Sequence, residues 1–198
     1  IIETYISDET RKAKILAMIE KLGENYVLSP ASGKDWYHGA YAGGYLVHVN
    51  NVVKMALKVK ALYEKMGGEI NFTEEELVFA ALFHDLGKIG NGEQPNYIPN
   101  ESEWHRVNQG LMYKSNPDID FMLVPDRSLF LLQKFGIQVS QQEYLAIKLH
   151  DGVFDESNKS YFVSFTPDSK LKSNIVPILH AADYLAAKIE LDIEKREG

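Results

Sequence analysis

The chain has 198 residues, a formal net charge of −7, 45% hydrophobic residues and no cysteine. This length suits one domain with a sizeable core, and the acidic balance argues against broad electrostatic binding of nucleic acid. The lack of cysteine excludes disulfides and a thiol nucleophile and fits a reducing compartment, so we expect a cytoplasmic protein. No apolar run approaches the length of a membrane span, and we expect no membrane partner.

The first half of the chain predicts helices separated by glycine-rich breaks. Three helices are expected, from Ser7 to about Leu22, from Gly43 to about Met66, and from Thr73 to Phe83. Residues 23–42 are expected to be irregular, because glycine and proline punctuate them. Thr73 and Glu76 have the spacing of a capping box, which marks the start of a helix, and Ser140 and Glu143 have the same spacing in the second half of the chain.

The second half continues the helical pattern and adds two polar loops. Helices are expected near 104–114, 126–135, 140–150 and 174–195. The stretch "SYFVSF" is a strand candidate, which would give one short β-hairpin near 160–166. Loops at 87–103 and 151–172 each follow a His-Asp pair, and long irregular loops in a compact domain are often functional. The fold class is therefore all-α.

Two histidines stand on apolar helical faces. His48 shares a stripe with Val52 and Val59, and His84 ends an apolar run and precedes Asp85. Each histidine could be a core residue that donates to a backbone carbonyl. A buried carboxylate, however, needs a cationic partner, which could be Lys88 or a divalent metal ion.

Asp183 favours the metal. It lies among Leu179, Ala182 and Ala186 on an apolar helix, without a partner nearby in the sequence. Three apolar helices that each carry an inward histidine or aspartate indicate convergence on one cation. Nitrogen and oxygen ligands of this kind suit manganese, iron, cobalt, nickel or magnesium better than a structural zinc.

These residues carry a resemblance to a known family. The order of His48, the His84-Asp85 pair in "HDLGK", and Asp183 in "HAADYLAAK" resembles the HD superfamily of metal-dependent phosphohydrolases. The stretch "GAYAGGYLVH" is similar to the glycine-rich entry to the first metal histidine in that superfamily. The resemblance implies a compact single HD-type helical domain over residues 1–198, with a metal-site core at about 43–190.

The resemblance also implies a set of ligands. His48, His84, Asp85 and Asp183 would hold the first divalent ion. In the binuclear branch, two histidines between the dyad and the last aspartate hold a second ion, which assigns His105 and His150 as ligands and Asp85 as the bridge. We expect two ions of Fe, Mn, Mg, Ni or Co. The alternative for His105 is an exposed surface residue.

The implied activity is hydrolysis of a phosphate ester of a nucleotide or related small molecule by a metal-activated water. Lys88 would stabilise charge on the phosphoryl oxygens. Asp151 would orient His150 or assist proton transfer, or it could cap a helix end. Lys34 and Trp36 loosely resemble a basic residue and a tryptophan that bind substrate in nucleotidase members.

Two alternative functions remain open from the sequence. One is a phosphodiesterase of the same superfamily, acting on a cyclic nucleotide, a dinucleotide or an RNA end. The other is a regulatory module that binds metal or nucleotide without turnover. The expected partner is a small phosphorylated substrate rather than nucleic acid, and the sequence leaves a homo-oligomer open.

Overall fold

The computed structural model describes residues 1–163 and 170–197, and the chain is mainly helical over them, as the sequence predicts. The helices are Ile2–Tyr5 (α1), Glu9–Leu28 (α2), Gly44–Lys65 (α3), Glu74–Phe83 (α4), Glu103–Gln109 (α5), Val124–Lys134 (α6), Gln141–Leu149 (α7), Lys159–Phe162 (α8) and Ile175–Glu197 (α9). Tyr97–Pro99 (β1) and Tyr113–Ser115 (β2) form an antiparallel hairpin in which Ile98 pairs with Lys114. Single turns of 3-10 helix cover Leu86–Ile89, Gly152–Phe154 and Glu156–Asn158. Within this described part, no helix has both the length and the apolar character needed to cross a bilayer.

Helix α4 is the centre of the core. Every residue of α4 from Leu77 to Phe83 is buried. Helix α3 packs on α4 and α9, and α7 also packs on both α4 and α9. A helix that is apolar on all sides is stable only when it is enclosed. The end of α4 therefore lies inside the protein, where the His-Asp pair follows it.

Both capping boxes predicted from the sequence are confirmed. Thr73 Oγ1 accepts a hydrogen bond from Glu76 N (3.1 Å), and Glu76 Oε2 accepts one from Thr73 N (2.8 Å). Ser140 and Glu143 make the same reciprocal pair at the start of α7. These bonds satisfy amide groups that a helix leaves unpaired at its first turn, so they fix where α4 and α7 begin.

The first long helix differs from the prediction at both ends. Its cap is Asp8, whose Oδ1 accepts a hydrogen bond from Arg11 N (2.7 Å). Ser7 instead donates from its hydroxyl to Glu75 (2.6 Å). The helix continues to Leu28 through a kink at Gly23, where irregular structure was expected.

The strand prediction was wrong in position. Residues 160–162 belong to α8 rather than to a hairpin, and residues 164–169 lie outside the described residues. Strand β2 of the observed hairpin includes Lys114, which was predicted to be the end of a helix. Helix α5 stops because Gly110 adopts a left-handed conformation (φ 53°), and β2 follows. A three-residue strand is too short to show the alternation that identifies strands in a sequence.

A partly buried ion pair joins α2 to α4 and α7. Arg11 Nη2 lies 2.6 Å from Glu143 Oε2, and the guanidinium lies 3.8 Å from the centre of the Phe79 ring. The Glu143 side chain is 1% exposed. Burial raises the pKa of Glu143 although Arg11 opposes that change. Arg11 therefore provides the charge compensation that allows Glu143 to cap α7 inside the fold.

We expect Arg11→Ala to lower the free energy of unfolding by about 3 kcal/mol, because it leaves a buried carboxylate without its cation. Urea denaturation followed by circular dichroism measures this loss. Lys21→Ala is the control, since Lys21 is an exposed cation on the same helix and should change stability by less than about 0.5 kcal/mol. Equal effects of the two substitutions would contradict the role given to Arg11.

Candidate metal centre

The glycine-rich segment before α3 sets the position of His48. A side-chain carbon added to Gly44 would lie 2.2 Å from the carbonyl oxygen of Gly39, so this close approach requires glycine. Tyr45 N also donates to Ser29 O across the same junction (3.1 Å). The start of α3 is thereby fixed against the preceding loop, and His48 follows one turn later with its side chain buried.

The His84-Asp85 pair lies where α4 ends. His84 caps the helix, and its Nδ1 donates to the carbonyl oxygen of Ala81 (2.8 Å), which turns Nε2 away from the helix. Ser128 Oγ accepts from Gly87 N (2.8 Å) and lies 2.9 Å from the carbonyl oxygen of His84. Asp85 is 3% exposed. The turn after α4 thus presents an imidazole and a carboxylate together in the interior.

Three helices bring their side chains to this turn. His48 Nε2 from α3 lies 3.0 Å from Asp183 Oδ1 of α9 and 3.6 Å from Asp85 Oδ2. His84 Nε2 lies 3.5 Å from Asp85 Oδ2 and 3.7 Å from Asp183 Oδ1. The convergence of His48, His84, Asp85 and Asp183 expected from the sequence is therefore present in the structure.

His150 lies near the other carboxylate oxygen of Asp85, Oδ1. It caps α7, and its Nδ1 donates to Ile147 O (2.8 Å), as His84 does with Ala81. Its Nε2 lies 3.6 Å from Asp85 Oδ1 and 3.5 Å from Asp151 Oδ2. His180 Nδ1 donates to the carbonyl oxygen of His150 (2.6 Å) and supports this end of α7.

Lys88 provides the positive charge closest to Asp85. Its Nζ lies 2.6 Å from Asp85 Oδ2. Burial opposes ionisation of both groups, yet Lys88 lowers the pKa of Asp85 well below its usual value, and Asp85 raises that of Lys88. The salt bridge considered from the sequence is thus present. It neutralises one carboxylate but provides no hydrogen bond to Nε2 of His48 or of His84.

Two histidines of the cluster, His48 and His150, have strongly raised pKa values. Burial alone would lower the pKa of His48, but the carboxylates of Asp183 and Glu190 outweigh burial and raise it to about 9. Burial is likewise outweighed at His150, where Asp151 and Asp85 raise the pKa to about 10. Both imidazoles are therefore protonated at neutral pH when no other cation is bound.

The donor set fits a divalent cation. His48 Nε2 and His84 Nε2 are buried and make no hydrogen bond of good geometry within the described residues, although the carboxylate oxygens of Asp85 and Asp183 lie 3.0–3.7 Å away. A buried polar atom without a partner costs free energy, and an ion would satisfy both nitrogens. Ligand atoms bound about 2.0–2.2 Å from one ion lie roughly 3 Å apart. The separations of 3.0–3.7 Å in this cluster are close to that spacing.

A cavity of about 420 Å³ opens onto this cluster. Asp85, His150 and Asp183 are part of its lining, together with Lys88 and Asp151. A cavity of this size can hold a small molecule. A ligand in it would contact the cluster directly.

Three residues predicted for the site lie apart from it. His105 is on α5 beside Trp104, with ring centres 5.2 Å apart, and belongs to none of the described groups of potential metal ligands. Lys34 and Trp36 are exposed and lie outside the cavity lining, with Lys34 Nζ 5.0 Å from the centre of the Trp36 ring. Their assigned roles stay predictions.

Several residues around the cluster were missed by the sequence analysis. Tyr37, Phe154, Tyr184 and Lys188 line the cavity. Glu190 Oε2 accepts a hydrogen bond from His48 Nδ1 (3.0 Å). A sequence signal existed only for Glu190, which follows Asp183 by seven residues and so shares its helical face.

One known family matches a part of the chain that includes the turn after α4. The HD domain family matches residues 49–115, a segment that begins one residue after His48 and contains His84, Asp85, Lys88 and His105. HD domains are generally metal-dependent hydrolases. Searches of curated proteins and of solved structures gave no match.

Metal binding should release protons and strengthen as pH rises. The pKa values of His48 and His150 are raised, so both are protonated near pH 7 and must lose a proton before they can bind an ion. We expect release of about two protons per chain at pH 7 and tighter Mn²⁺ binding towards pH 9. Calorimetric titration of metal-free protein in buffers of different ionisation enthalpy measures both. A pH-independent affinity without proton release would contradict this prediction.

Proposed function

Because the chain carries an HD domain sequence at residues 49–115, we propose that it is a metal-dependent phosphohydrolase acting on a phosphate ester of a nucleotide or a related small molecule. One observation carries the proposal. Imidazole nitrogens and carboxylates from separate helices converge at a cavity that is also lined by a partly buried lysine, Lys88. That combination suits a cation and an anionic substrate together.

We assign His48, His84, Asp85 and Asp183 as the ligands of a first ion. A divalent ion at this position supplies Lewis-acid activation of a phosphoryl group and of water near neutral pH. The ligands are nitrogen and oxygen atoms, which suits Fe, Mn, Co, Ni or Mg. The Nδ1 bonds of His84 and His48 hold the Nε2 atoms toward Asp85 and Asp183.

The proposal of a second ion rests on the two oxygens of Asp85. Oδ2 lies toward His48 and His84, whereas Oδ1 lies toward His150. A carboxylate with oxygens facing different histidines can bridge two ions. His150 would then be a ligand on the second side. His105 was predicted for that role, and the metal content of a variant tests it below.

Lys88 is proposed to bind the phosphoryl oxygens. Its ammonium group lies at the cavity beside Asp85. A fixed positive charge in a site with little water stabilises the charge that develops during phosphoryl transfer. Asp151 is half exposed at the same cavity and lies 3.5 Å from His150 Nε2, where it could accept a proton from water.

The nucleotide preference is supported by the outer part of the cavity. Tyr37, Phe154 and Tyr184 supply aromatic rings to its lining. Aromatic faces stack on planar bases. Lys188, whose Nζ lies 5.4 Å from the centre of the Tyr184 ring, adds a cation that could meet a further phosphate. A base against the rings would place its phosphate toward Lys88.

A regulatory module that binds metal or nucleotide without turnover is the second candidate, and the Lys88–Asp85 ion pair favours it. The ammonium group of Lys88 is paired with Asp85 at 2.6 Å and so is not free for a phosphoryl oxygen. A metal ion bound by Asp85 would compete for this carboxylate and release Lys88, however, which is what the enzyme requires.

The decisive experiment combines metal content with turnover. We expect one to two equivalents of Mn²⁺ or Fe²⁺ per chain and release of phosphate from a panel of nucleoside mono- and triphosphates. Asp85→Asn should lose both metal and turnover, because it removes a charged ligand at the centre of the cluster. His105→Asn should lose one equivalent of metal only if His105 is a ligand. Metal binding without turnover of any monoester would favour the module, and cleavage of diesters alone would favour a phosphodiesterase.

Lys88→Met tests the role of the lysine separately from metal binding. We expect kcat to fall by about 10²- to 10³-fold, because a donor to the transition state is lost. Metal content should be retained, since Asp85 loses its competing cation. Lys65→Met, at an exposed position at the end of α3, is the matched control. Similar turnover in the two variants would remove Lys88 from the proposed chemistry.

A further inference from the structure

The three cluster histidines are held in two different ways. The Nδ1 atoms of His84 and His150 donate to neutral carbonyl oxygens of their own helices, at Ala81 and Ile147. His48 alone donates to a carboxylate, Oε2 of Glu190, at 3.0 Å. A hydrogen bond to an ionised acceptor is roughly twice as strong as one to a neutral acceptor. His48 is thus oriented more firmly than its neighbours.

Glu190 is itself fixed in place. It is buried, and its other oxygen, Oε1, accepts from Asn51 Nδ2 at 2.9 Å. Asn51 lies three residues after His48 on α3, so one helix supplies both donors to the carboxylate. Burial opposes ionisation of Glu190, but the hydrogen bond from His48 keeps its pKa below the usual value. Each oxygen of the carboxylate therefore has one partner.

We propose that Glu190 is a positioning residue that fixes His48 with its proton on Nδ1 and its Nε2 directed at the metal. This inference rests on the proposed function, since it needs an ion at the cluster. A carboxylate behind a ligating histidine fixes the orientation of the ring and makes the nitrogen a stronger donor to the metal. Because Asp183 and Glu190 share one face of α9, a single helix supplies a ligand and the group that orients another.

The competing assignment makes Glu190 a ligand itself. His38, His48 and Glu190 also form a group whose potential ligand atoms lie within 4.8 Å of one another. His38 Nε2, however, is 4.0 Å from Glu190 Oε2, while His48 Nδ1 already occupies that oxygen. A metal there would have to displace the His48 proton, so the geometry favours orientation over ligation.

Glu190→Gln is the main test, with Mn²⁺ titration of metal-free protein as the readout. We expect the dissociation constant to rise about 10- to 100-fold, because loss of the partner behind a ligand has that effect. Asp192→Asn is the matched control, since it makes the same change at an exposed position of the same helix, and it should bind like the parent. Asn51→Ala keeps the charge of Glu190 but removes its anchor, and should weaken binding in the same direction by a smaller factor. It serves as the test if Glu190→Gln does not fold.

A spectroscopic readout separates positioning from general destabilisation. In Zn²⁺-loaded parent protein labelled with ¹⁵N-histidine, we expect the Nδ1 proton of His48 downfield of those of His84 and His150, and Glu190→Gln should shift this signal alone. An unchanged dissociation constant or an unchanged His48 signal would overturn the inference. Loss of one whole ion with unchanged affinity for the other would also overturn it and make Glu190 a ligand. If the unmodified protein binds metal and hydrolyses a phosphate ester, and these variants behave as it does, only this inference is rejected. If the unmodified protein binds no metal, the proposed function is rejected as well.

Discussion

The burial of the Asp85 carboxylate is the constraint on which the rest of the structure depends. An ionised group in a protein interior is tolerated only if charge and hydrogen bonds compensate it. Lys88 supplies part of that compensation, and α3, α7 and α9 each deliver a histidine or a carboxylate to the same place. The same helix contacts therefore build both the apolar core around α4 and the polar cluster at its end.

Much of the cluster could be predicted because it interrupts a strong pattern. His48, His84 and Asp183 each sit on a helical face that is otherwise apolar, so a polar residue there signals an interior partner. His150 could be placed because the capping box at Ser140 fixes where α7 starts. The structure brings these four residues together around Asp85, and their role as ligands stays a prediction.

Most features that the sequence did not predict lie in segments without a helical or strand repeat of apolar residues. Residues 29–43 have no helical or strand repeat, so nothing indicated that Tyr37 would line the cavity and that Trp36 would not. The hairpin was misplaced because its strands have only three residues each. Glu190 is a different case: it shares the helical face of Asp183, but it lies in a charged stretch typical of a solvated surface, and its burial depends on the packing of α9 against α3, which is a tertiary contact.

The enclosure of α4 from Leu77 to Phe83 has a consequence for the motions of the site. A helix that is buried on every side over most of its length cannot detach alone, because every direction of movement exposes apolar surface to water. Opening of α4, and with it of the His84-Asp85 turn, should require unfolding of the whole domain, so its amides belong with the slowest to exchange hydrogen. The loop that carries Tyr37 is held by hydrogen bonds, such as those from Ala31 N to Gly39 O (2.8 Å) and from Gly39 N to Glu194 Oε1 (2.9 Å), and bonds of this kind can open without unfolding the domain. Entry of a ligand into the cavity would then depend on a small free energy of local opening. Disruption of the ligand cluster would instead cost the full free energy of unfolding of the domain.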